Sequence, residues 1–257
     1  RLLEGSLREV RRASARALAE ISGNEAVDAL RDSIEDRDGH VRRAAASALG
    51  RICDRQSFEP LYRFMPTERY RDVFEEMIKA LLAIDAPALC ARIGELEAPA
   101  REVLGRYAPD EATVLALAED AALPVRTAAL AGLGRFGSDA AVRTLTTTLR
   151  DRDPEAKKAA IASLAALRRG YDDMLPLLSD PDTWVRMSAV TTLGQSGRED
   201  VIGPLADLRN DPEPPVAFAV VDAIAHIGGR KAADALAAFS EHPNADLRER
   251  ARGILES

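Results

Sequence analysis

One phrase recurs along the chain and limits what it can fold into. A turn bearing Asp or Pro leads into Val-Arg, then an Ala-rich stretch, then Leu-Gly. Val41-Arg42 leads to Leu49-Gly50, Val125-Arg126 to Leu133-Gly134, and Val185-Arg186 to Leu193-Gly194. The same frame falls at Val10, Val73, Leu96, Ala156, Val216 and Leu247, giving intervals of 31, 32, 23, 29, 31, 29, 31 and 31 residues. A period of this length marks stacked units, none of which can cover its own apolar face.

Within each unit the frame residue and the residue eight later are apolar, as in Val41 with Leu49 and Val73 with Leu81. That spacing is one stripe of a helix. Between these stretches lies a second amphipathic segment, such as 26–34, 140–149 and 201–208. Each unit therefore reads as a helix pair. The expected fold is all-α, a right-handed α-solenoid of about eight pairs plus an orphan N-terminal helix over Arg8–Ile21. The chain is expected to form a single solenoid domain over 1–257, regular over 1–57 and 110–257 and irregular over 58–109. Beginning at Arg1, it reads as part of a longer polypeptide.

Composition agrees. Of 257 residues, 47 are Ala and 30 are Leu, while aromatics make up 4%. Ala and Leu lose little on entering a helix, and β-sandwiches need the aromatic and β-branched residues that are scarce here. Two cysteines are too few for a disulfide scaffold, so a reducing, cytoplasmic setting is expected. No apolar run is long enough to insert into a membrane. A net charge of −7 disfavours nucleic acid as a partner.

The phrase Asp-Pro-x-x-Val-Arg-x-x-Ala-x-x-x-Leu-Gly resembles the bacterial HEAT repeat, which is also found in phycobilisome lyase-type proteins. The resemblance covers nearly the whole chain and implies a protein-interaction scaffold. It also implies that the repeating acid–arginine pairs, Asp36 or Asp38 with Arg42, Asp120 with Arg126 and Asp180 or Asp182 with Arg186, form a structural ladder between neighbouring repeats, with carboxylates capping turns and arginines bridging loops. Gly50, Gly134 and Gly194 stand near helix ends, where a left-handed cap suits glycine. Asp153-Pro154, Asp180-Pro181 and Asp211-Pro212 read as helix starts.

The middle departs from the pattern. Pro66, Pro87, Pro99 and Pro109 punctuate it, and Phe58, Tyr62, Phe64, Tyr70 and Phe74 cluster within 17 residues. Exposed, they would anchor a partner; buried, they would fill irregular stacking. Trp184 has the same two readings, packing over a turn or contacting a ligand. In HEAT solenoids the Val-Arg helices line the concave face. That placement implies a groove basic at its start, through Arg12, Arg16 and Arg43, mixed in the middle, with Glu75 and Lys79, and milder and partly apolar at its end, with Phe218 and Asp222.

No catalytic constellation is evident. His40, His226 and His242 lack metal-ligand spacing, and phosphate loops and nucleophile elbows are missing. No catalytic residue, cofactor or metal is therefore expected. Among HEAT-like enzymes, deoxyhypusine hydroxylase relatives use His-Glu dipeptides, and no His here precedes Glu. The expected function is a non-enzymatic scaffold for a protein or peptide partner, or for another domain of the same chain. The alternatives are a chromophore-lyase-like or other protein-modifying subunit and, more remotely, a HEAT-like DNA-repair protein.

Overall fold

A computed structural model describes residues 24–256, together with Ala13 and Ala17, which are helical. The orphan helix expected over Arg8–Ile21, including Arg12 and Arg16, otherwise lies outside the described residues. The chain divides into two compact units, Arg1–Val125 and Arg126–Ser257. Among the described residues every regular element is a helix.

In the first unit the helices are α1 (Asn24–Asp32), α2 (Gly39–Ile52), α3 (Phe58–Phe64), α4 (Arg71–Ala91), α5 (Ala98–Tyr107) and α6 (Glu111–Leu117). Helices α2, α4 and α5 pack in series, and α1, α3 and α6 cover one side of them. The division between units falls in the first turn of α7 (Leu123–Leu133). The second unit continues with α8 (Asp139–Thr148), α9 (Pro154–Leu167), α10 (Tyr171–Met174), α11 (Thr183–Gln195), α12 (Ile202–Ala206), α13 (Pro214–Ile227), α14 (Gly229–Phe239) and α15 (Ala245–Glu256). Helices α9, α11, α13 and α15 pack in series. Within each unit, pairs stack as in an α-solenoid.

The repeating stripe is the core. Val41, Val125, Val185 and Val216 are fully buried, and so are Leu49, Leu81, Leu133, Leu164, Leu193 and Ile224 eight residues into their helices. The second helices expected over 26–34, 140–149 and 201–208 correspond to α1, α8 and α12.

Three expectations need correction. The frame in the middle is Ala100, not Leu96: α5 begins at Ala98, two residues before its frame residue, as every other Val-Arg helix does. The intervals around it are therefore 27 and 25 residues. Leu96 is also buried, which is why it mimicked the frame. The shortening comes from α4, whose helical run is broken only at Asp85 (φ −157°, ψ 80°). Asp85 caps the second run, its carboxylate accepting the Ala88 N–H at 3.1 Å, and Pro87 falls in the first turn of that run, where its missing N–H leaves no helical bond unmade. One residue thus replaces a loop between two helices.

Second, Gly50 and Gly194 lie inside helices without a left-handed backbone. A Cβ on Gly194 would stand 2.5 Å from the Ala223 Cβ, and one on Gly50 would stand 2.8 Å from the Ala80 Cα. They are there for close helix approach. Third, Asp153-Pro154 does start α9, but the caps of α11 and α13 are Asp182 and Glu213, so Pro181 and Pro212 sit in the preceding turns.

Candidate functional site

A recurring rung organises the turns. The residue after each frame residue is usually a cation whose guanidinium joins two turns. The Nη1 of Arg186 donates to the Asp180 carbonyl at 2.9 Å, while its Nε and Nη2 donate to Asp211 at 2.8 and 2.9 Å. Arg42 does the same with the Asp36 carbonyl at 2.6 Å and Glu68 at 2.6 and 2.8 Å. Arg101 takes the Leu96 carbonyl and Asp120, the latter at 2.7 and 3.3 Å. Lys157 reaches Asp180.

Each receiving acid also braces its own turn. Glu68, Asp120, Asp180 and Asp211 accept the backbone N–H two residues on, at 2.8–2.9 Å. The ladder therefore runs from one repeat to the next. Arg42 meets Glu68 rather than the Asp38 carboxylate, which caps α2 through the His40 N–H. Arg186 meets the Asp180 carbonyl, leaving that carboxylate to Lys157. Asp120 receives Arg101, and Arg126 holds the ladder position of α7.

Two positions lack the cation. Ala217 occupies one, and there the acid of the following turn is replaced by His242, whose Nδ1 accepts the Asn244 N–H at 3.1 Å. Phe74 occupies the other. The acid of its following turn, Glu95, is still present but accepts the Tyr62 hydroxyl at 2.9 Å instead. Burial, reinforced by Glu95, pushes the Tyr62 phenol above its ordinary pKa.

A cleft of about 730 Å³ opens at this missing rung, between the 65–71 segment and the 95–103 segment. Met65, Phe74, Leu96, Ala100 and Val103 supply its apolar floor. Of its rim charges, Glu102 is taken by Arg71 at 2.8 Å and Arg106 at 2.6 Å. Arg69 and Glu97, on opposite rims, are exposed, and their side chains have no polar partner among the described residues.

The expected partner-binding residues distribute unevenly. Tyr62 and Phe74 line the cleft; Phe58 does not offer a surface, being buried. It stacks on Tyr62 with centroids 6.1 Å apart, and the Arg92 guanidinium covers both rings at 5.4 and 4.6 Å. Tyr70 is 59% exposed beside Arg42. Trp184 is 64% exposed. Of the residues expected at the basic start of the groove, Arg12 and Arg16 lie outside the described residues. Arg43 is paired with Asp72, and Lys79 with Glu75 beneath the Tyr107 ring. Phe218 is half-buried in a shallow groove beside the Asp222–Arg250 pair.

The sequence shows Phe74 in place of the arginine of the Val-Arg phrase, but with Leu96 as the frame Glu95 is not recognised as the acid of the next turn, and the cleft between the two is not legible. Among the described residues, no three His, Cys, Asp or Glu side chains come together to hold a metal ion. No helix among them is long and apolar enough to cross a membrane.

A family model described as HEAT repeats matches residues 1–82, 111–180 and 171–256. A comparison with curated proteins gives no match. Among solved structures, Kap121p aligns over 98% of this chain and 36% of its own, at 14% identity and a TM-score of 0.60. The chain thus spans about a third of that protein and shares its fold there. YibA of Escherichia coli aligns over 99% and 90% at 18% identity and a TM-score of 0.46. The CpcE–CpcF complex of phycocyanin lyase from Nostoc aligns over 99% and 91% at 20% identity and a TM-score of 0.36. The last two scores are too low to carry an argument about shape or role.

Proposed function

Because the chain belongs to the HEAT-repeat family, we propose that it is a non-enzymatic scaffold binding a partner protein or peptide, and that the cleft at Phe74 receives the partner. The observation behind this reading is the missing rung. At Arg42, Arg101, Lys157 and Arg186 a cation ties neighbouring turns together. Here an apolar ring stands in its place, and the turns part over an apolar floor. An aliphatic or aromatic side chain of the partner fills that space, because burying it there removes apolar area from water on both sides. Arg69 and Glu97 then select the charges flanking that anchor. The two cysteines are free thiols, which suits the proposed cytoplasmic setting.

The test is selection of short peptides from a displayed library against the full chain. Enriched sequences should share one large apolar residue with charged neighbours. Reversing both rim charges, Arg69→Glu with Glu97→Arg, should leave the melting temperature unchanged and invert the preferred flanking charges. Selection of peptides with no apolar anchor, or with preferences unmoved by the reversal, would sink the assignment. So would a failure to enrich any peptide.

A further inference from the structure

The rung at Phe74 lacks its donor but keeps its acceptors. Where the cation is arginine, the guanidinium joins two fixed registers. Nη1 donates to a carbonyl five or four residues before its own frame residue: Asp36 for Arg42, Leu96 for Arg101, Asp180 and Pro181 for Arg186. The Nε–Nη2 edge holds a carboxylate five residues before the next frame residue: Glu68, Asp120 and Asp211. Around the frame residue Val73, those registers fall on the Glu68 and Arg69 carbonyls and on the Glu95 carboxylate. Neither carbonyl accepts a hydrogen bond among the described residues. Glu95 accepts the Tyr62 hydroxyl through Oε2 and has no partner there for Oε1. Both Tyr62 and Glu95 line the cleft.

The charges of the cleft point the same way. Glu68 is held by Arg42, and Glu102 by Arg71 and Arg106. Arg92 feels Glu95 but is held by Glu59 over the Phe58 and Tyr62 rings. Glu95 and Glu97 are left against Arg69 alone, an acidic edge above an apolar floor.

We infer that the partner segment carries an arginine beside its apolar anchor, and that this arginine supplies the missing rung cation from outside. The inference rests on the Phe74 cleft being the docking site. The arginine stem lies along the apolar floor, while its guanidinium meets Glu95 and the free carbonyls over the Phe74 ring. Lysine fits less well, because an ammonium is a point charge. In the chain's own lysine rung, Lys157 bonds the Asp180 carboxylate and no carbonyl.

The test uses the full chain and the displayed peptide library. Enriched sequences should place an arginine at a constant spacing from the apolar anchor. The leading peptide is then made with Arg, Lys or Ala at that position, and binding is followed by fluorescence anisotropy. Arg→Ala should weaken binding about tenfold, as for a lost charge-assisted hydrogen bond, and Arg→Lys should also weaken it. On Glu95→Gln, whose amide oxygen still accepts the Tyr62 hydroxyl, the Arg and Ala peptides should bind within about twofold of each other. The peptide comparisons on the native chain need no protein variant, so a loss of stability in Glu95→Gln cannot mask them. Apolar-anchored peptides with no arginine preference, lysine serving as well as arginine, or an Arg→Ala loss that survives Glu95→Gln would each overturn the inference and leave the docking site standing. Failure to enrich any peptide would remove both. A dimer of the chain alone, seen by light scattering and abolished by Glu95→Gln, would assign the cleft to a second copy and overturn the partner.

Discussion

At the scale of single residues, the alanine-rich phrase has a steric meaning. Gly50 and Gly194 are small because neighbouring helices nearly touch there, and Gly253 in α15 faces open space. Gly194→Ala should overpack the α11–α13 contact and cost about 1–3 kcal/mol. Gly253→Ala should stabilise by about 0.5–1 kcal/mol, since alanine only restricts the unfolded chain and raises helix propensity. Urea titration of both variants checks the opposite signs. The cysteines differ as well. Cys53 is exposed, whereas burial, reinforced by a contact with Asp110 at 3.4 Å, pushes the Cys90 thiol above its ordinary value. A maleimide should therefore label Cys53 first at neutral pH, as peptide mass mapping would reveal.

At the scale of elements, burial decides which ion pairs matter. Arg186 and Asp211 leave 9% and 3% of their side chains exposed, whereas Arg43 and Asp72 leave 51% and 57%. Arg186→Gln strands a carboxylate in a dry turn and should cost about 2–5 kcal/mol. Arg43→Gln should cost about 0–1 kcal/mol. A double-mutant cycle in denaturant separates the two cases.

The same turns set the acid response. Burial alone would raise the Glu68 pKa, but Arg42 and the Tyr70 and Arg69 N–H groups outweigh it and hold it below the usual range. Asp54 is likewise lowered, with burial opposed by Ser57 and Arg31. The stabilisation from these acids is complete above their unfolded-chain values, at about pH 4. It is lost as pH falls through the lower folded values. Urea midpoints measured from pH 6 down to pH 2 should drop below about pH 4, and Glu68→Gln should flatten that drop. An equal slope in the variant would show that Glu68 is not among the groups responsible.

At the scale of the whole chain, the rungs Arg42–Glu68, Arg101–Asp120 and Arg186–Asp211 are neutral pairs, and the net charge of −7 is the acidic excess left outside such pairs. Most cations inside the ladder are already satisfied, so they do not add up to a phosphate-binding track. Anisotropy with duplex DNA at about 50 mM salt should show no salt-dependent binding. A steep salt slope would contradict this.

The sequence by itself determined the helix pairs, their period and their buried stripe. A side chain eight residues from its frame partner lies on the same helix face whatever the neighbours do. It also singled out Arg42, Asp120, Asp180 and Arg186 as ladder residues, but not Glu68, Arg101, Lys157 or Asp211. It could not say which acid each arginine takes, because that depends on how far one turn lies from the next. Only the tertiary structure decided that Arg42 reaches Glu68, that Arg92 caps the Phe58–Tyr62 stack, and that Ala100 rather than Leu96 is the frame. The cleft at Phe74 was hidden for the same reason: it is defined by a contact that neighbouring repeats make and this one does not, and such an absence is visible only once the repeats are stacked.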